Sequence, residues 1–354
     1  MRYVQPRPSS IVAALYTLRD LDVDLAILHG PSGCSFKHAR LLEEDGIRVL
    51  TTSLGDEEFI FGGQRLLEDV LRYAEEEFAP KKIAVVGTCV SMIIGEDMEA
   101  AIEASGIATP AIAVDIHAGF RENIDGVIAA LEPAAAAGWI TAEELDRQRS
   151  VLAAANATER ARGAACKTYI APSRGDLKHV AAKELITLAK SGKRGMAIMN
   201  AKKETAYMFA DELLALHDAV PDADILYIAN LEERGLPKVR GDASAILAQM
   251  RARGVDPELI GALDEYGANG PAIAARIAEV KPDFVLLVGV PHALTPESLS
   301  ETTVFSVTNG PRQVGPLKDQ GHAHVVVEID LHPKTLGVHE IVESEFGAVL
   351  RSLV

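Results

Sequence analysis

The sequence predicts an α/β protein with two Rossmann-like domains, each built on a mostly parallel sheet. Three observations lead to this prediction. Short aliphatic runs alternate with amphipathic stretches, the runs are apolar at nearly every position, and the alternation restarts after a polar, Ala-rich stretch at residues 141–163. Strands that are apolar on both faces are typical of parallel sheets covered by helices on both sides.

The aliphatic runs of the first half predict four strands, with helices between them. The strands are expected at residues 25–28, 48–52, 83–86 and 111–114. The clearest helix follows Gly62-Gly63, because apolar residues then recur at helical spacing. These residues are Leu66, Leu67, Val70, Leu71 and Ala74.

The second half repeats the alternation after the polar stretch. Thr141 and Glu144 form a capping-box pattern, so residues 141–163 are expected to be a linker helix. This divides the chain into domains at residues 1–140 and 164–354. Strands are expected at 196–199, 225–228, 284–288, 303–307 and 325–329, and helices near 205–216, 243–252, 273–280 and 336–350.

Composition excludes several classes of function. The 354 residues include 35 Lys and Arg against 51 Asp and Glu, a formal net charge of −16. Such a charge repels phosphate backbones, so nucleic acid and anionic membranes are not expected partners. The apolar runs are too short to span a bilayer, and the N-terminus lacks an export signal. Three cysteines are too few for a disulfide framework, and we expect a reducing cytoplasm.

The cysteines are the residues most informative about chemistry. Cys34 follows the first strand at an expected helix start, and Cys89 follows the third strand directly. Because the carboxyl ends of parallel strands share one edge, we expect the two thiols to converge. Free thiols are core residues, nucleophiles or metal ligands, and thiolates without His partners favour iron–sulfur clusters or zinc. Cys166 has no motif around it and is expected to be a core or interface thiol.

Four strings surround these cysteines in a fixed order. They are His29-Gly30-Pro31-Ser32-Gly33-Cys34, then Thr52-Ser53 leading to Phe61-Gly62-Gly63, then Gly87-Thr88-Cys89 with Ile94-Gly95-Glu96-Asp97, and Thr109-Pro110 leading to Gly119-Phe120. Taken together, they resemble the nitrogenase component-1 superfamily, over about the first third of the chain. The resemblance implies a shortened version of that two-domain fold.

The resemblance also implies a cluster site. Cys34 and Cys89 match cysteines that ligate an iron–sulfur cluster between two catalytic subunits, and the expected cofactor-binding loop residues are Gly30, Pro31, Gly33, Gly62 and Gly63. No further cysteine precedes the first strand. A 4Fe-4S cluster needs about four ligands, so a homodimer that places one cluster on its two-fold axis is expected.

Within the superfamily, this short chain is most similar to the catalytic components of reductive cyclases that act on Ni-sirohydrochlorin a,c-diamide. That similarity implies a multi-electron reduction coupled to closure of a γ-lactam ring, in the biosynthesis of the nickel tetrapyrrole coenzyme of methanogenesis. Nickel then belongs to the substrate, which is expected to face the C-terminal domain. An ATP-binding partner similar to nitrogenase iron protein would deliver electrons. Consistently, the sequence has no phosphate-binding loop, since Ser191-Gly192-Lys193 lacks the required spacing.

The reduction needs proton donors and groups that hold substrate carboxylates. The expected candidates are His117, His292, His322 and Arg312, with His292 favoured because it follows a strand. For the pair His322 and His324, a polar strand start with both side chains on one face is the alternative to a metal site. His29 is expected to shape its loop.

Two groups of acidic residues near the cysteine strings are open to more than one interpretation. Glu96 and Asp97 are interpreted as a charge pair at a helix start. Asp56, Glu57 and Glu58 are equally compatible with a docking surface and a solvated loop.

The alternatives to the reductive cyclase are another nitrogenase-like tetrapyrrole reductase, a scaffold for metallocluster assembly, and a clusterless protein that binds metal chelates.

Overall fold

A computed structural model describes residues 9–34, 36–120, 123–164, 169–328 and 337–354. Contacts divide the described residues into two units. The first comprises those within 5–149 together with Leu236–Lys238, and the second those within 150–235 and 239–354. None of the described helices is both long enough and apolar enough to cross a membrane.

The first unit is a parallel sheet with helices around it. Its helices are α1 (Ser10–Asp20), α2 (Phe36–Glu43), α3 (Asp56–Phe61), α4 (Gln64–Phe78), α5 (Cys89–Ile94), α6 (Met98–Ser105) and α7 (Asn123–Ala136). Its strands are β1 (Leu25–Leu28), β2 (Arg48–Thr51), β3 (Ile83–Val86) and β4 (Ala111–Val114). All pair in parallel in the order β2-β1-β3-β4.

The strand order of this sheet creates a switch point between β1 and β3. The chain starts at β1, moves outward to β2, and returns to place β3 and β4 on the other side of β1. Connections therefore leave β1 and β3 in opposite directions, and a crevice opens beyond their carboxyl ends. Both strands are buried at every position, which explains why their sequences are apolar throughout.

The core of the first unit lies between the sheet and α4. Leu67, Leu71 and Ala74 are fully buried on one face of α4, against Ile27 and Val85 of the sheet. Burial of each leucine contributes roughly 1.5–3 kcal/mol to folding. The helical spacing of apolar residues that predicted α4 is thus also the spacing of the residues that pack against the sheet.

The second unit contains a larger sheet of the same kind. Its helices are α8 (Ala142–Ala161), which begins in the first unit, α9 (Lys178–Lys190), α10 (Ala206–Ala219), α11 (Pro237–Ala252), α12 (Gly270–Val280), α13 (Val314–Asp319) and α14 (Glu345–Ser352). Its strands are β5 (Gly195–Asn200), β6 (Ile225–Ala229), β7 (Glu258–Leu259), β8 (Phe284–Gly289), β9 (Thr303–Thr308) and β10 (His324–Val327). They pair in parallel in the order β10-β9-β8-β5-β6-β7.

This sheet also has a switch point, between β5 and β8. The chain moves from β5 outward through β6 and β7, then returns to β8 and continues outward through β9 and β10. Asn200 at the end of β5 pairs with Gly289 at the end of β8. The α/β prediction with parallel sheets is confirmed in both units.

Several elements differ from the expectation. Helices α9 and α13 were not predicted, and α11 begins at Pro237, before its expected start near residue 243. The strand Glu258–Leu259 was not predicted, because two residues carry no periodicity. The last helix was expected near 336–350 but begins at Glu345, while the described residues 337–344 are not helical. Ser344 is its N-cap and accepts a hydrogen bond from the Gly347 amide at 2.9 Å, and Glu328 accepts hydrogen bonds from the next amides, Glu345 and Phe346. Leu336 and Ile329, at the edges of these predictions, lie outside the described residues.

Candidate functional site

The two matched cysteines flank the switch point of the first sheet. Cys34 lies in the loop that follows β1, and Cys89 is the first residue of α5, after β3. Both are partly buried. Burial raises the pKa of the Cys34 thiol, and the nearby Cys89 raises it further. The two thiols therefore lie on one edge of the sheet and interact electrostatically.

Backbone contacts fix each cysteine. The Cys34 amide donates a hydrogen bond to the Pro31 carbonyl at 3.0 Å. The Cys89 sulfur accepts one from the Ala118 amide at 3.3 Å. Gly33 is open, because a Cβ there would have no atom within 4 Å. The loop thus presents its sulfur beside a small residue that leaves space for a bulky group.

A close approach of two loops explains Gly30. A Cβ at this position would lie 2.4 Å from the Thr88 hydroxyl oxygen, a distance that real contacts do not reach. The same hydroxyl donates a hydrogen bond to the His29 carbonyl at 2.9 Å. The loop that holds Cys34 is therefore in contact with the residue that precedes Cys89, and only glycine fits at the contact.

His29 is the centre of a buried hydrogen-bond network. Its Nε2 lies 3.1 Å from Glu96 Oε2, and its Nδ1 lies 3.2 Å from the Thr52 hydroxyl, which also accepts a hydrogen bond from the Gly30 amide. Burial lowers the pKa of His29, and Glu96 opposes that effect. This placement agrees with a histidine that shapes its loop.

The interpretation of Glu96 and Asp97 as one charge pair is correct only for Asp97. Asp97 caps α6, since its Oδ1 accepts a hydrogen bond from the Ala100 amide at 2.9 Å. Glu96 instead turns inward and also accepts a hydrogen bond from the Gly63 amide at 2.7 Å. Gly95, with φ of +75°, ends α5 in the left-handed region and reverses the chain there. Glu96 thus connects the third string to the first two.

Exposed apolar side chains occur on α2, which follows Cys34, and on α5, which begins at Cys89. They also occur on α3 and on the loop after β4, which contact α5 and Cys89 respectively. We call them the apolar rim: Phe36, Phe59, Ile60, Phe61, Met92, Ile93 and Phe120. Their carriers are α2, α3, α5 and the loop after β4. Asp56, Glu57 and Glu58 form the first turn of α3, where carboxylates are favoured by the helix dipole. Large apolar side chains grouped in this way are typical of surfaces that contact another protein.

The four candidate catalytic residues do not lie in one unit. His117 belongs to the first unit, where its Nδ1 accepts a hydrogen bond from the Gly119 amide and its ring stacks on Phe120 at 4.6 Å. His292, His322 and Arg312 belong to the second. The Arg312 guanidinium lies 5.0 Å from the centre of the Tyr169 ring.

The prediction that His322 and His324 share one face is wrong. His322 lies in the turn before β10 and contacts the Ser306 hydroxyl at 2.6 Å, where burial lowers its pKa to about 4. His324 is the first strand residue, stacks on Phe305 at 5.0 Å and contacts Glu184 at 2.9 Å. The strand alternation begins only at His324, so it cannot place residue 322 on the same side.

The switch point of the second sheet carries the predicted candidate His292 and two polar residues that the sequence analysis did not single out, Lys202 and Glu159. Lys202 follows β5, His292 follows β8, and Glu159 of α8 lies between their side chains. The sequence feature that could have identified Lys202 is its position just after a predicted strand. No sequence feature distinguishes Glu159, because it lies on a helix with charged residues throughout.

The ligand set of one chain is incomplete for a metal ion. Among the described residues, no three or more His, Cys, Asp or Glu side chains are grouped to hold one. Two cysteines per chain nevertheless fit a shared cluster, because a two-fold axis would supply two more. Cys166 lies outside the described residues.

Comparisons with known proteins identify the class. Residues 9–137 match the family model described as nitrogenase component 1 type oxidoreductase. The alpha chain of the nitrogenase molybdenum-iron protein of Clostridium pasteurianum is 32% identical over 112 residues, which are 28% of this chain and 20% of that protein. The resemblance seen in the four strings is thus confirmed for the first unit.

Relatives that match over nearly the whole chain identify a narrower class of protein. Component CfbD of the Ni-sirohydrochlorin a,c-diamide reductive cyclase complex of Methanosarcina acetivorans is 54% identical over 358 residues, covering 99% of this chain and 97% of the relative. The component of the same name from Methanothermobacter thermautotrophicus is 47% identical over 353 residues, covering 98% of each. The chain belongs to the CfbD family, a family of components of an enzyme complex.

Proposed function

We propose that this chain is the catalytic component of an ATP-dependent, nitrogenase-like reductive cyclase. Its substrate is Ni-sirohydrochlorin a,c-diamide, in which nickel is part of the substrate. The reaction adds several electrons to the macrocycle, each balanced by a proton, and closes a γ-lactam ring. The family membership of the chain and the pair Cys34 and Cys89 at one switch point support this proposal.

The two cysteines would hold half of a 4Fe-4S cluster. Each chain contributes Cys34 and Cys89, and a second copy contributes the same pair, which gives the four thiolates such a cluster takes. When bound, the cluster would supply one-electron transfer toward the substrate. What supports this assignment is the placement of Cys34 and Cys89 after β1 and β3, the two strands that flank the switch point of the first sheet.

The protein's own part is to fix and shield this centre. The network of His29, Thr52 and Glu96 holds the Cys34 loop against the start of α5. A second copy that covers the apolar rim would keep water away from the cluster. The reductase partner, an ATP-binding iron protein, would supply the electrons, and we place the enzyme in the cytoplasm.

Iron analysis of oxygen-free protein tests the proposal. We expect about four irons per homodimer, and an EPR signal after reduction. Cys34→Ala and Cys89→Ala should each lose the iron and the signal, whereas Cys166→Ala, a matched loss of one thiol, should keep both. Equal iron content in all three variants would contradict the cluster assignment, and the absence of turnover with the iron-protein partner and ATP would contradict the reaction.

A further inference from the structure

The second switch point has the features of a ligand site. Lys202 and His292 follow β5 and β8, the two strands between which the chain reverses direction. Ligands of open parallel sheets bind beyond the carboxyl ends of such strands. The first sheet places its cysteines in the same topological position, so both units present reactive side chains at the same place in their folds.

One carboxylate oxygen lies between two cationic groups at this point. Glu159 Oε1 is 3.1 Å from Lys202 Nζ and 3.4 Å from His292 Nε2. Lys202 Nζ also lies 4.7 Å from the centre of the Tyr266 ring, which provides a favourable cation–π contact. Glu159 therefore holds the Lys202 and His292 side chains together.

The site is built from buried groups, and one of them is incompletely satisfied. The side chains of Glu159 and His292 are only 9% and 8% exposed. Neither ring nitrogen of His292 makes a contact of good hydrogen-bond geometry within the described residues, and Nε2 has only the long contact of 3.4 Å with Glu159 Oε1. A buried imidazole with so weak a contact is unfavourable, and this points to a ligand that provides a further partner when the site is in use.

The backbone around His292 is fixed. Arg162 donates hydrogen bonds to the carbonyls of His292 and Ala293, at 2.7 and 3.1 Å. A Cβ at Gly270 would lie 2.4 Å from the Ala293 carbonyl oxygen, so α12 approaches this turn as closely as only glycine permits. The turn that carries His292 is therefore held in place, which is typical of preorganised binding sites.

Lys202 is the group that a ligand can reach. Its side chain is 31% exposed, while its two partners are covered. Burial lowers the pKa of Lys202, but Tyr266 and Glu159 outweigh it and raise the value overall. Burial likewise raises the pKa of Glu159, and Lys202 and His292 lower it overall. Both groups are thus fixed charges at neutral pH, which suits binding rather than proton donation.

We propose that Lys202, with Glu159 and His292 behind it, is a binding site for a carboxylate of an organic ligand. Lys202 makes the contact, and Glu159 is the carboxylate that pairs with the ammonium in the absence of a ligand and that the ligand's carboxylate replaces. A chain of net charge −16 repels polyanionic ligands, so it needs a local cation of this kind to hold one. The assignment of the ligand as the tetrapyrrole substrate, whose edges carry carboxylates, rests on the proposed function.

Calorimetric titration of the full chain tests this site with two probes. The first is Ni-sirohydrochlorin a,c-diamide, and the second is benzene-1,3,5-tricarboxylate, which shares only the carboxylates. We expect Lys202→Met to weaken the binding of both by about tenfold to a hundredfold, since a charge-assisted contact is lost. Arg194→Met removes the same charge at the opposite end of β5, where Arg194 pairs with Asp224, and should change affinity less than about twofold.

Glu159→Gln distinguishes a ligand-binding role of Lys202 from a purely structural role of its ion pair with Glu159. The variant keeps the ammonium and removes its competing carboxylate, so both probes should bind as tightly as to the unaltered protein, or more tightly. A structural pair would instead lower stability in Lys202→Met and Glu159→Gln alike and leave affinity unchanged in each. Urea unfolding of each variant provides the stability comparison.

The outcomes distinguish this inference from the proposed function. Binding of the tricarboxylate that depends on Lys202, without binding of the nickel macrocycle, would support the carboxylate site and refute the substrate. If Lys202→Met binds the tricarboxylate with unaltered affinity, or if the unaltered protein binds neither probe, the carboxylate site is refuted.

Discussion

The buried imidazole of His29 and the carboxylate of Glu96 lie 3.1 Å apart, and this contact joins loops separated by 67 residues. Glu96 holds Gly63 through its other oxygen, at 2.7 Å from the Gly63 amide. Three of the four family strings are therefore parts of one hydrogen-bonded network.

Removal of Glu96 should destabilise the first unit. Glu96→Ala leaves His29 Nε2 and the Gly63 amide without their acceptor, and each unsatisfied donor costs about 1–3 kcal/mol. We expect a total loss of about 2–6 kcal/mol in urea unfolding. Asp97→Ala, which removes only a helix cap, should cost about 1 kcal/mol. Equal losses in the two variants would show that the inward contacts of Glu96 contribute little.

Gly30 should not tolerate a side chain. Gly30→Ala forces a Cβ into the Thr88 side chain and should separate the two cysteine loops, with a loss of about 1–3 kcal/mol and a lower iron content. Gly241→Ala, on α11 of the second unit, meets no atom within 4 Å and is the matched control. The measurement is iron per chain after anaerobic purification, with urea unfolding alongside. Normal iron content in Gly30→Ala would rule out this packing argument.

The second unit should lose stability as the pH rises, because of Glu212. This side chain is fully buried on α10, and both its carboxylate oxygens lack a hydrogen-bond partner within the described residues. Burial, with Glu328 and Asp211 nearby, raises the pKa of Glu212 well above its usual 4.5. The native state then binds more protons than the unfolded state above that value, so stability falls with increasing pH.

Substitution of Glu212 should reduce this dependence. Glu212→Gln cannot ionise, and we expect a flatter plot of unfolding free energy between about pH 5 and pH 8 and a gain in stability at the upper end. Some slope should remain, since burial also raises the pKa of Glu328. Glu340→Gln, at an exposed position, serves as the control. An unaltered slope in Glu212→Gln would show that Glu212 is not the group responsible.

The apolar rim should determine the oligomeric state. Ile93 is 75% exposed on the helix that begins at Cys89, so Ile93→Lys should place a charge in the dimer interface and yield monomers with little iron. Leu177→Lys alters an equally exposed residue of the second unit and should leave the mass unchanged. Light scattering coupled to size exclusion measures both. A dimeric, iron-loaded Ile93→Lys variant would place the interface elsewhere.

The sequence predicted the parts of the fold that depend on local pattern. Strands β1, β3, β5 and β8 are buried at every position because both faces are covered. Their sequences are therefore apolar, apart from Asn200 at the end of β5, and this made the strands predictable. The expectation that Cys34 and Cys89 converge followed from their positions just after two predicted parallel strands. What could not be predicted depends on tertiary placement: Glu159 meets Lys202 across 43 residues without any motif, and Glu96 turns inward only because Gly95 reverses the chain.

The repeated strand order has a consequence for how such a protein can diversify. In both sheets, Cys34, Cys89, Lys202 and His292 lie in the connections that follow the strands, while the strands themselves are covered on both faces. The cysteines of the first unit and Lys202 of the second unit thus occupy the same position relative to their sheets. Exchange of a few residues in these connections would change which metal centre or which acid is bound, without a change in the strands.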